Sequence, residues 1–458
     1  MVFLRINFSI LAILLSGCAA IGPEYIQPKM PQLPRHFSIG KSDRKITIDT
    51  FKWWESFNDK LLNKLVSIAF KQNLSICQAT ERINAARENI IATKGNLVPS
   101  LHTSISSAIM PESHKNSIAK SDCNWTLGLF GQNHRAIESA LAQFDGVYAE
   151  SDMAKMTMVS ELIPAYIDAR YFQERMYIAH KILSLYKKTL DLTEIKFSEG
   201  VISKLDLMKL QAEIHSIESE IPNLEKGFRI SVHNISTILG HPPTALLTLM
   251  QKQPNSFRPN LYMNIHIGIP ADLIRNRPDI RYHEKKLADC VAKIGIAKAD
   301  LYPSISLSGS IALTHNNRLS PTYNHNWSFG PTLYFPIFNG GKIKANIRIA
   351  ETRAREQYIA WQKTVLHAIK EVENALISIN EDKKIVSSLR NQVESYQKTL
   401  SFVMIGYQEG MTPLSNVLDI ERTIAQADFN LTIAQQQLVK SYVNLYIAVG
   451  SGYNSFNQ

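Results

Sequence analysis

The chain of 458 residues carries a net charge of +10, with 45% hydrophobic and 20% charged residues. That supplies a large core. Beyond the first 17 residues, however, no uncharged apolar run reaches the ~18 residues that a membrane-crossing helix needs, so such a helix is excluded. Lys and Arg are interspersed with Glu along stretches such as Arg353 to Glu373, the pattern of a solvated face rather than of a nucleic-acid patch.

Residues 1–17 read as an export signal. Met1 to Arg5 carries one positive charge, Ile6 to Leu15 is apolar, and Leu15-Ser16-Gly17-Cys18 follows. The last four resemble the lipobox of bacterial lipoproteins, which implies that Cys18 is lipidated and becomes the mature N-terminus. Several acyl chains at about 0.8 kcal/mol per buried methylene make such an anchor effectively permanent. Ala19, rather than Asp, after the cysteine is similar to lipoproteins sorted to the outer membrane of Gram-negative bacteria. Pro23, Pro28, Pro31 and Pro34 mark residues 18–50 as an extended linker.

The body that follows is written twice. Glu81 through Ser100 aligns with Lys285 through Ser304 at an offset of 204 (285 − 81), and Ser198-Glu199-Gly200 recurs as Gln408-Glu409-Gly410 at 210 (410 − 200). Duplication of this size is an architectural statement. It predicts a first repeat over 51–240, a connecting segment over 241–268 and a second repeat over 269–458.

Each repeat carries two alternating runs, expected as strands at about 101–109, 123–130, 304–314 and 325–336. Ile305, Leu307, Ile311 and Leu313 oppose Ser304, Ser306, Ser308 and Ser310, and the other runs keep the same parity. Trp125 and Trp327 stand where an interfacial aromatic girdle would lie, and the opposite face is Ser, Thr and Asn, as in a lipid-facing barrel with a wet lumen. Four strands cannot close such a barrel, because the smallest have about eight and an open edge in lipid leaves backbone groups unsatisfied. The chain must therefore pool strands with copies of itself, and three copies would give twelve.

Each second strand is followed by a long helical pattern, at about 132–199 and 342–405. The latter has no Gly or Pro, and its apolar positions step by three and four from Ile343 through Val403. At 1.5 Å per residue its 64 residues (405 − 342 + 1) span roughly 95 Å, a rod rather than a domain core. The first copy contains Pro164, where a local kink is expected. Three cysteines remain after Cys18, an odd count that argues against a disulfide framework; Cys77 and Cys290 fall in helical patterns as small buried side chains. His266, His283, His315 and His325 lack metal-ligand spacing, and neither a nucleophile elbow nor a phosphate loop is present, so no enzyme, metal or cofactor is expected.

Several motifs now converge. Gly22-Pro23-Glu24-Tyr25, Trp53-Trp54 with Phe57-Asn58-Asp59, the run from Gly268 to Arg281, Ile294-Gly295-Ile296-Ala297-Lys298-Ala299, Leu129-Phe130-Gly131 and Phe338-Asn339-Gly340-Gly341 occur in one order. In this the chain resembles the outer-membrane efflux proteins of the TolC and OprM type, in their NodT-like lipoprotein subfamily. The resemblance implies a mainly α fold with β, in which a long α-helical barrel is continuous with a β-barrel of four strands per chain, twelve in a homotrimer. It implies a passive exit duct in the outer membrane, coupled through a periplasmic adaptor to an inner-membrane pump such as an RND-type transporter and expelling drugs or other small toxic compounds. It also implies gate residues where the last long helix begins: Asp419 and Arg422 match the family's charged pair, and Leu414 with Asp206 completes the candidates. Ser415 stands where OprM-like members carry a leucine. Two other readings are a lipid-anchored structural coiled-coil protein of the envelope and a duct for type I protein secretion.

Overall fold

The computed structural model describes residues 20–29, 52–110, 114–252, 277–316 and 322–453. The export signal, Cys18, residues 30–50 of the expected linker and residues 268–276 of the long motif lie outside the described residues. After a 3-10 turn at Trp53–Phe57 come α1 (Lys60–Gln72), α2 (Leu74–Gly95), β1 (Ser100–Met110), β2 (His114–Leu127), α3 (Gln132–Ser198), α4 (Lys204–Ile238) and α5 (Leu247–Gln251). Then follow α6 (Pro278–Ala299), β3 (Ser304–Asn316), β4 (Thr322–Tyr334), α7 (Lys342–Gln408) and α8 (Leu414–Ala448).

The duplication is metrical as well as sequential. Helices α3 and α7 each have 67 residues, α4 and α8 each have 35, and α2 and α6 each have 22. Pro164 leaves α3 continuous, and no helix among the described residues is long and apolar enough to cross a membrane. The chain divides into two compact units, one made of residues 1–31, 80–150 and 279–364 and the other of 32–79, 151–278 and 365–458.

The first unit holds an antiparallel sheet in the order β1-β2-β3-β4. Its alternating side chains follow from the two-residue pleat, and its register makes the alternation collective. Leu101 pairs with Cys123, Trp125 with Leu307, and Ile311 with Trp327, so odd residues always oppose odd residues. β2 begins at His114, nine residues ahead of the expected start at 123 (123 − 114). Ser117, Ala119 and Ser121 are too small to give that stretch an apolar period. In the same unit residues 20–29 are not a free spacer: the Ile21 N–H donates to the Phe130 carbonyl and Gln27 donates to Glu284.

The second unit is centred on an apolar core in which Trp53 stacks on Tyr446 at 4.6 Å, with Leu62, Leu65, Ile163, Val232 and Val443 fully enclosed. Asp59 caps α1 by accepting from the N–H groups of Leu61 and Leu62, and it also accepts from the Tyr166 hydroxyl at 2.6 Å. Trp53-Trp54 and Asp59 are thus packing and capping residues. Pro278 opens α6, where a missing donor is harmless, and Asp279 accepts from the Ile280 N–H. Arg277 is buried, bonds the carbonyl of Ala448 and pairs with Glu371. Cys77, expected to be buried, is exposed, because Ile76 and Ala79 form the inner face of α2. Cys77, Cys123 and Cys290 are all free thiols.

Candidate functional site: the amphipathic sheet and the helical tip

One face of the sheet, on odd residues, presents Leu101, Ile105, Ile109, Ile311, Leu313, Trp327, Phe329 and Leu333, each at least half exposed in the single chain. The other, on even residues, presents Ser304, Ser306, Ser308, Ser310, Asn324, Asn326 and Ser328 and carries a Lys120–Asp122 ion pair. A hydroxyl on an apolar face is costly unless it is bonded. The odd-face hydroxyls of β1 and β2 meet that need by pairing across the strands, Thr103 with Ser121 and Ser107 with Ser117, each at 3.0 Å. Those hydroxyls are thus satisfied within the sheet, and the same face carries His315 and His325 toward its far end. Strands β1 and β4 are the edges.

The register separates the two tryptophans. Trp125, whose indole N–H donates to the Leu97 carbonyl, opposes Leu307, whereas Trp327 opposes Ile311, four residues further along β3 (311 − 307), roughly 13 Å at 3.3 Å per residue. The two indoles are therefore offset along the sheet. Trp125 lies toward the end where strands turn into helices, and exposed Tyr334, Phe335 and Phe338 belong to that end as well.

The second candidate region is the tip of the second unit, where α3 turns into α4 and α7 into α8. Both turns close in the same way. Val201 N–H bonds the Lys196 carbonyl and Gly200 N–H that of Phe197; Met411 N–H bonds the Gly406 carbonyl and Gly410 N–H that of Tyr407. Gly200 and Gly410 both have φ of 73°, the left-handed cap that glycine adopts without strain. Tyr186, Leu210, Ile214, Leu414, Val417 and Leu418 form a joint core, so both hairpins contribute to one packed end. Lys196 donates to the Tyr407 hydroxyl at 3.1 Å.

The charged candidates occupy different settings. Arg422 lies 3.9 Å from Asp419 and 3.8 Å from Glu213, and its side chain and that of Asp419 are 61% and 62% exposed. Pairs so exposed contribute only about 0–1 kcal/mol to stability. Asp206 is engaged in a cap: its N–H donates to the Ser203 hydroxyl, which in turn donates to the Asp206 carboxylate at 2.8 Å. Leu414 is buried in the joint core, so it packs the tip rather than facing outward. Exposed apolar groups at the tip include Val201, Leu205, Met208, Phe402 and Met411, which sequence reading did not single out. Leu205 is the first-half counterpart of Ser415 (415 − 205 = 210), and that alignment was the available signal. Burial, Glu421 and Glu213 push the Tyr186 hydroxyl up to about 12 against the opposing pull of Arg422, and burial raises the Glu421 carboxyl. Among the described residues no cluster of three or more His, Cys, Asp or Glu side chains is arranged to hold a metal.

The sequence profile described as "Outer membrane efflux protein" matches residues 65–241 and 269–451, the two repeats. The chain belongs to that family. It is 37% identical to Nodulation protein T of Rhizobium leguminosarum bv. trifolii over 99% of this chain and 98% of the relative. It is 26% identical to the cation efflux system protein CusC of Escherichia coli over 96% and 98% of the two. Its structure superposes on the outer-membrane channel OprN with a TM-score of 0.81 at 28% identity, covering 95% of this chain and all of that one. The fold is therefore that of an α-helical barrel joined to a β-barrel, and the protein is an outer-membrane efflux channel.

Proposed function

We propose that three copies of this chain form a gated exit duct of a tripartite efflux pump, each copy lending four strands to a twelve-stranded barrel. The observation that carries this reading is the register, which turns every apolar odd residue to one face, every serine-rich even residue to the other, and leaves two unpaired edges. Edges in lipid must pair. Two copies would give about eight strands, whose interior fills with side chains, whereas twelve leave an aqueous passage lined by the even face. Cys18 carries the lipid anchor.

The duct does no chemistry. Its work is to open, and the tip is where that happens: Asp419, Arg422 and Glu213 form a weak charged layer, Leu414 stiffens the hairpin ends from within, and Asp206 fixes the start of α4. A periplasmic adaptor holds the tip open and an inner-membrane pump supplies the energy. The cargo is a small toxic compound or ion, in keeping with the cation efflux named for CusC. Native mass spectrometry of protein extracted in mild detergent tests the assembly. The expected mass is three chains, with loss of the gene raising cellular accumulation of toxic solutes. A monomer in freshly extracted outer membranes would overturn the reading.

A further inference from the structure

The residues just after Cys18 lie in a seat made by the first unit. Arg135, 4% exposed, spends its guanidinium on three successive carbonyls: Nε–H donates to Ile21 at 3.3 Å, and Nη2 donates to Ala20 at 3.4 Å and to Gly22 at 3.2 Å. Nη1 pairs with Glu138 at 2.7 Å, which balances the buried charge. Three glycines make room for the segment. A Cβ on Gly131 would stand 2.5 Å from Ala20 Cα, one on Gly295 2.8 Å from the Ile21 oxygen, and one on Gly22 2.6 Å from Gly295 Cα. Distances under 3 Å are closer than real side chains approach, so each site requires the bare backbone.

The seat belongs to one half only. The counterparts of Gly131, Arg135 and Gly295 are Gly341, Ala345 and Ile91, at the family offsets of 210 and 204. A Cβ on Gly341 would meet nothing within 4 Å, and Ile91 is 59% exposed. A corner turn alone would need the glycine in both halves, and both have it. The arginine and the second glycine are present only where the N-terminal segment lies.

We infer that Arg135, with Gly131 and Gly295, is a binding seat for the chain's own N-terminal segment, a positioning site that sets where the lipid anchor enters the bilayer. This rests on the reading of Cys18 as lipidated. Two residues of chain span at most about 7 Å, so the backbone of residue 18, from which the acyl groups extend, is tied to within that reach of Ala20. Ala20 itself touches Gly131, four residues past the end of β2 (131 − 127). The anchor is thereby held at the base of the membrane sheet instead of on a free leash.

The test is residue-resolved hydrogen exchange at the Ile21 amide, with the full-length protein in lipid nanodiscs, together with the mass of the N-terminal peptide. Wild type and Cys18→Ser should both slow exchange at least about tenfold relative to an unstructured chain, because the seat and not the lipid holds the segment. Arg135→Ala and, independently, Gly295→Ala should restore exchange to within about twofold of the unstructured rate while α6 amides stay protected; Arg135→Lys, with a point charge instead of a planar fork, should rescue only partly. Protection that survives both Arg135→Ala and Gly295→Ala, or that vanishes in Cys18→Ser, overturns the seat. Should either glycine or arginine variant unfold, the other and Cys18→Ser still decide. A peptide mass without acyl groups would overturn the lipidation reading alone and leave the protection data to judge the seat.

Discussion

The two halves of this chain share helices of equal length and differ in what they do with them. Helices of 67 and 35 residues recur at an offset of 210, and the same glycine caps close both tips at φ of 73°. Yet one corner grips the N-terminal segment through Arg135 while its counterpart is open, and one tip helix starts on a serine cap while the other starts on Pro413. Helix lengths and tip caps have been kept. Side chains have diverged where a task needs only one copy per chain.

Truncating matched positions in the tip has the largest expected effect. Leu210 is fully buried, whereas its counterpart Ile420 is half-buried, so Leu210→Ala should cost about 2–5 kcal/mol of local stability and Ile420→Ala clearly less. Hydrogen exchange of the tip amides reports the difference; equal losses would mean that the halves are packed alike. Next in size is the sheet. Ile311→Lys on the apolar face should destabilise the inserted protein by about 2–4 kcal/mol, whereas the adjacent Ser310→Lys should cost little, as urea unfolding from lipid vesicles would show. The cap difference is smaller: Ser203→Ala should lose about 1 kcal/mol from the start of α4, while Pro413→Ala, which has no side-chain cap bond to lose, should leave α8 nearly unchanged in the same exchange experiment.

The smallest expected effect is electrostatic. Burial raises the Glu421 carboxyl, so the native tip binds its proton more tightly than the unfolded chain does. This group's contribution is therefore fully present below the usual carboxylate range and is lost as pH rises through the raised value. Glu421→Gln should accordingly stabilise the tip at neutral pH and give no gain at pH 4. Thermal unfolding of the two proteins at both pH values measures it, and a gain at pH 4 would contradict the assignment.

Much of this was legible in the sequence, and the exceptions have physical causes. The paired long helices and three of the strands show because periods of 3.6 and 2 persist over many residues. The first half of β2 is hidden because its odd-face residues are the small Ser117, Ala119 and Ser121, the two serine hydroxyls being satisfied by cross-strand partners rather than by apolar bulk. Leu414 could be placed in the tip but not oriented, since α8 packs against α4 through faces that one helix alone does not define. The glycines at 131 and 295 read as corner and motif residues. Their further role appears only when the segment at 20–22 is found across from them.

In the proposed duct, a weak charged layer closes the tip rather than the packed core beneath it. Single-channel conductance in planar bilayers, for wild type and for the double variant Asp419→Ala, Arg422→Ala, decides between the two. Small, rare openings are expected in the wild type and larger, longer ones in the variant, with trimer mass and tip-core protection unchanged. Identical conductance from both proteins, with both confirmed as inserted trimers, would contradict it.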